Sequence, residues 1–80
     1  MNLSIGTKIY YTGDRANASA NCTIVDISKN YVSLSEINGN RTFHIAQSQI
    51  GNVYQGHGNP RFVTEEARQA YLARLTDRTK

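Results

Sequence analysis

The dipeptide Asn38-Gly39 constrains this chain more than any other feature. A two-residue hairpin turn of type I′ needs positive φ at both central positions, and Asn-Gly meets that need best. The flanks agree. With Asn38 and Gly39 as the loop, Ile37 pairs with Asn40, and the ladder runs Glu36–Arg41, Ser35–Thr42, Leu34–Phe43, Ser33–His44 and Val32–Ile45. One face then carries Val32, Leu34, Phe43 and Ile45, with an opposite-charge pair at the tip. The other carries Tyr31, Ser33, Ser35, Thr42 and His44. Moving the loop by one residue sets Phe43 opposite Glu36 and mixes the two faces, so the first register is preferred. The chain therefore predicts an antiparallel sheet with one buried side.

The remaining elements are short. Lys8-Ile9-Tyr10-Tyr11-Thr12 is a β-prone run entered through Gly6 and ended by Gly13-Asp14. Arg15 to Asn21 is small and polar, a long loop. Thr23 to Ile27 is a β-branched strand, followed by the turn formers Ser28-Lys29-Asn30. The hairpin occupies 31–37 and 40–46. Gln47-Ser48-Gln49 suits one helical turn, and Ile50 to Tyr54 reads as a last strand. Gln55 to Pro60 is Gly-rich and loop-like. Thr64 is a good N-cap, with Glu65 and Glu66 where the helix dipole favours negative charge. From there no Gly or Pro interrupts a helix. Ala67, Tyr71 and Leu75 form one stripe, so the helix is expected to dock by Tyr71, Leu72 or Leu75.

Five short strands, a long loop after the first, a helical turn before the fifth and an added helix resemble the small SH3-like barrels, including Tudor and KOW-type modules. Gly6-x-x-Ile9, Thr23-Ile24-Val25, the Asn38-Gly39 hairpin and Ile45 to Ile50 carry the resemblance. It implies a mainly β fold: a five-stranded SH3-like antiparallel barrel over 5–54, a loop over 55–63 and a C-terminal α-helix over 64–77, in a single domain. Tyr11 to Asn17 also resembles segments of small accessory proteins carried by phages and plasmids.

Eighty residues and a net charge of +3 give one small domain whose core is marginal. That leaves room for support from a partner or from homo-oligomer formation. The mild positive charge permits contact with nucleic acid without requiring it. One cysteine, Cys22, excludes an internal disulfide. No signal-peptide pattern and no apolar run of about 20 residues is present, so a cytoplasmic location and no membrane partner are expected.

Catalytic and metal signatures do not stand out. His44 and His57 have no cysteine or carboxylate at ligand spacing, so neither a metal nor a cofactor is expected. Cys22 has no adjacent base and reads as a buried small residue. The Gly56-to-Pro60 segment lacks the Gly-Lys-Ser/Thr ending of a phosphate loop. The chain is therefore not expected to be an enzyme.

The binding signal lies in tyrosines and arginines. Tyr10 and Tyr11 are adjacent, so on a strand they face opposite sides. Such tyrosines either stack on bases or anchor a protein partner, or pack under the helix and long loop. Arg61, Arg74 and Arg78 form a candidate patch, with an evenly solvated surface as the alternative. Arg41 is expected to pair with Glu36, and Arg68 with Glu65. Tyr10, Tyr11, Arg61, Arg74 and Arg78 are thus the candidate binding residues. The function expected is a non-enzymatic module that contacts nucleic acid or a nucleic-acid-handling complex. The alternative is an inhibitor or adaptor, encoded by a mobile element, that binds a host protein assembly.

Overall fold

The computed structural model describes residues 3–56 and 60–78. Strands β1 (Lys8–Tyr11), β2 (Ala20–Ile27), β3 (Tyr31–Glu36) and β4 (Thr42–Ala46) form an antiparallel meander. A single 3-10 turn (Gln47–Gln49) leads to β5 (Ile50–Gly51). Then come β6 (Phe62–Thr64) and helix α1 (Glu65–Arg78). The strand order is β4-β3-β2-β1-β6-β5. The outcome is one curled six-stranded sheet, a half-barrel, in place of five closed strands.

The hairpin register is the expected one, with Leu34 opposite Phe43 and Val32 opposite Ile45. The turn is not. Among the described residues no non-glycine has positive φ, and Gly39 is not among the positive-φ glycines, so the type I′ geometry is absent. The closing bond instead runs from Glu36 N–H to Arg41 C=O at 2.9 Å, leaving residues 37–40 as a four-residue loop. Ile37 does not pair with Asn40. Its N–H donates to Asn21 C=O at 2.8 Å, drawing the tip over β2.

Phe62 and Val63 of β6 fall in the segment 55–63 expected to be a loop, and the strand expected over 50–54 stops at Gly51. Phe62-Val63-Thr64 pairs antiparallel with β1 and parallel with β5, so it separates those two strands. Its entry is anchored by Thr12, whose N–H donates to Arg61 C=O at 2.7 Å. Alternation then buries Phe62 on the inner face and Val63 on the outer face.

The inner face is the main core: Ile9, Tyr11, Ala20, Cys22, Ile24, Val32, Leu34, Ile45, Ile50 and Phe62. Ring contacts measure how far the sheet curls. In a flat sheet β1 and β4 stand about 14 Å apart, three spacings of about 4.8 Å. Yet the Tyr11 and Phe43 centroids are 4.9 Å apart, and those of Phe43 and Phe62 5.5 Å. A bulge between Ile24 and Asp26 adds bend to β2 and leaves Val25 half exposed.

The outer face of β1 and β6 is covered by α1, which begins where Thr64 Oγ1 accepts the Ala67 N–H at 3.1 Å. Ala67 and Val63 are buried there, while Leu72 and Leu75 stay exposed at 37% and 38%. Among the described residues no helix is long and apolar enough to cross a membrane.

Candidate nucleic-acid interface

The adjacent tyrosines of β1 do face opposite ways, and each meets a different cluster. Tyr10 points to the outer face, opposite Val63. Its ring meets Tyr54 edge-on at 6.3 Å, and Tyr54 meets Tyr71 of α1 at 4.8 Å. The Arg68 guanidinium sits 4.3 Å above Tyr10 and lies 3.8 Å from Glu65. Arg74 donates to the Tyr54 carbonyl at 2.8 Å and lies 5.9 Å from the Tyr71 ring. The chain reaches this cluster through Gly56, at φ +84°, where a Cβ would run into the Tyr71 side chain. Burial, then the neighbouring tyrosines, push the Tyr54 hydroxyl pKa up. Tyr10 and Arg74 are therefore brought together, and they hold the helix on the sheet.

Tyr11 turns inward and is 4% exposed. Its hydroxyl donates to Asp14 Oδ2 at 2.8 Å. Asp14 Oδ1 accepts the N–H groups of Ala16 and Asn17, both at 2.8 Å, which shapes the β1–β2 loop. The Tyr11 bond, followed by the Ala16 and Asn17 donors, lowers the Asp14 pKa to about 2. Burial is the first cause raising the Tyr11 hydroxyl, and the bond to Asp14 the second.

Two arginines, Arg41 and Arg61, stand at this end of the half-barrel. Arg61 Nη1 lies 3.8 Å from Asp14, with its side chain 67% exposed. Arg41 pairs with Glu36 at 2.9 Å, donates to Ala18 C=O at 2.9 Å, and spans the rings of Tyr11 and Phe43 at 5.6 and 5.7 Å. Arg15 is exposed on the loop these contacts hold. Each of the two guanidiniums faces a carboxylate, Arg41 closely and Arg61 loosely. So Tyr11 and Arg61 meet through Asp14, in a cluster separate from that of Tyr10 and Arg74 on the outer face. The Arg78 side chain and His57 lie outside the described residues.

Sequence reasoning did not single out Arg41 over the Tyr11 and Phe43 rings, nor the pair Tyr31–His44. Tyr31 is 47% exposed and stacks on His44 at 5.3 Å and 12°. The His44 Nδ1 shares a 3.2 Å hydrogen bond with Ser33 Oγ. The hairpin register carries the signal for this pair, since it makes Tyr31 and His44 diagonal neighbours on one face.

Two open grooves, of about 480 and 300 Å³, flank Lys8, and Glu65 lines both. The acid beside Lys8 makes them poor anion sites. Among the described residues no three His, Cys, Asp or Glu side chains converge as a metal site. Searches of protein-family models, curated proteins and solved structures gave no match to this chain.

Proposed function

We propose that this chain is a non-enzymatic binding module that contacts nucleic acid, or a nucleic-acid-handling complex. Arg15, Arg41 and Arg61 would hold phosphates, and Tyr31 is the exposed aromatic for stacking. One observation carries the reading: Arg61 has a side chain 67% exposed and only loosely paired with Asp14 at 3.8 Å. A guanidinium in that state can exchange a distant carboxylate for a bidentate phosphate contact. The accompanying fold reading is an SH3-like module opened by insertion of β6 between β5 and β1. The meander, the hairpin and the 3-10 turn before β5 support it.

The test is fluorescence anisotropy with labelled single- and double-stranded DNA and RNA over a salt series. Arg61→Ala should weaken binding to all sequences and reduce the log–log salt slope by about 0.7–0.9 for one lost phosphate contact. Tyr31→Ala should lose affinity with little change of slope, because stacking releases no counterions. If the protein binds no nucleic acid even at low salt, the reading fails. The protein-partner reading then takes its place, and exposed Leu72 and Leu75 on α1 favour it.

A further inference from the structure

We infer that Asn38-Gly39 is a site of spontaneous covalent modification, in which the Asn38 amide converts to aspartyl and isoaspartyl products in the folded protein. In this reaction the Gly39 backbone nitrogen, once deprotonated, attacks Asn38 Cγ. A new C–N bond closes a five-membered imide, the Cγ–Nδ2 bond breaks, and ammonia leaves with the proton it needs. Water then opens the imide at either carbonyl. No oxidant, enzyme or metal enters. The reaction needs a mobile amide side chain, a free following N–H and no Cβ crowding that nitrogen.

All three conditions meet at this tip. Residues 37–40 are exposed and lie outside the ladder. Among the described residues the Asn38 side chain takes part in no hydrogen bond, and the Gly39 N–H makes none of good geometry, only the weak one that closes the turn over residues 37 and 38. The open four-residue loop, in place of the tight turn, leaves the backbone free to reach the closing geometry.

Of the other asparagines, Asn2 and Asn30 precede the bulky Leu3 and Tyr31, and the rest are protected in distinct ways. Asn17 is tied to Asp14 by its own N–H and its side chain. Asn21 lies within β2. Asn40 is followed by Arg41, whose N–H donates to Glu36 Oε1 at 3.2 Å. Asn52 precedes β-branched Val53, and Asn59 precedes proline, which has no N–H. The modification has a defined local consequence. Glu36 folds its carboxylate over Gly39 on its way to Arg41, so conversion at position 38 would add a second negative charge near it and lower the net charge of the molecule by one.

The experiment incubates the full-length protein at mildly alkaline pH, native and in urea. Fragment-ion mass spectrometry then locates amide-to-acid conversion, and an isoaspartate assay identifies the linkage. The expected result is conversion at position 38 ahead of every other asparagine, at a folded-state rate close to that in urea, and strong slowing in Gly39→Ala. Gly39 does not have positive φ, and the contact its new Cβ would meet is the movable end of Glu36, so this variant should fold; circular dichroism checks that it does. Conversion first at another asparagine, a folded-state rate far below that in urea, or an equal rate in Gly39→Ala would each overturn the inference.

Discussion

Phe43→Ala probes the contact that curls the sheet. Phe43 stands on β4, an edge strand, and its ring reaches Tyr11 and Phe62 across what would be the open side of a flat sheet. Truncating a fully buried phenylalanine costs about 3–5 kcal/mol. Phe43 is only half buried, at an end open to water, so little of the cavity cost applies. Its two aromatic contacts add about 0.5–1.5 kcal/mol each beyond the area they bury. The expected loss is therefore about 2–3 kcal/mol. For a domain of this size that lowers Tm by roughly 10–20 °C. Phe43→Leu keeps apolar bulk but not the ring contacts and should lose about half as much. Leu34→Ala, directly opposite and fully buried, should cost at least as much as Phe43→Ala. Thermal melts followed by far-UV circular dichroism give the ordering, and near-UV signals report Tyr11. If Phe43→Ala moves Tm by less than about 2 °C, the curl does not depend on this ring, and the core assignment for β4 is wrong.

The Asp14 pKa of about 2 has a sign that can be checked. Its folded value lies below the ordinary 3.8, so its stabilisation is present above that ordinary value and is lost as pH falls through about 2. Melts from pH 6 to pH 2 should therefore fall less steeply in Asp14→Asn, and an unchanged slope would count against the Tyr11–Asp14 bond. Thr64→Ala removes the α1 cap and should cost about 1 kcal/mol by chemical denaturation. Gly56→Ala forces a Cβ toward Tyr71 at positive φ and should cost about 1–3 kcal/mol; a neutral result would show that the loop does not press on the helix. Truncation after Thr64 spares β6 but uncovers Val63 and Tyr10, so light scattering should show aggregation. A monomeric, equally stable product would make α1 an independent arm.

The hairpin was legible because its two strands carry a period-2 pattern long enough to fix register, and Leu34–Phe43 and Val32–Ile45 follow directly. Its turn was not, since Asn-Gly permits a type I′ geometry without imposing it. Here the Ile37–Asn21 and Glu36–Arg41 bonds hold a wider loop. Strand β6 was hidden because three residues cannot show a period. Phe62 and Val63 are both buried, on opposite faces, so no polar alternation marks them. The cap at Thr64 was legible from chemistry alone. The docking face was legible in part: Ala67 and Tyr71 of the expected stripe are used, while Leu72 and Leu75 are left out, because the sheet's outer side offers tyrosine rings in place of an aliphatic groove.

That last point explains why the candidate binding residues separate. A chain of this size has little apolar surface to spend on two faces, and its inner face takes most of the aliphatic residues. The outer face is closed instead by Tyr10, Tyr54 and Tyr71 with Arg68 and Arg74, side chains that pack through ring edges, cation–π contacts and a carbonyl bond. Tyrosines and arginines that sequence alone marks for a ligand are in this way drawn into structure. What stays available is what the fold leaves loosely satisfied. Arg61 is held to Asp14 at 3.8 Å while Tyr11 and two backbone N–H groups already bond that carboxylate. Asp14 does not need Arg61, so Arg61→Ala should leave Tm nearly unchanged, whereas Arg68→Ala should lower it. A large Tm loss in Arg61→Ala would mean that this arginine is structural, and the binding reading would lose its main support.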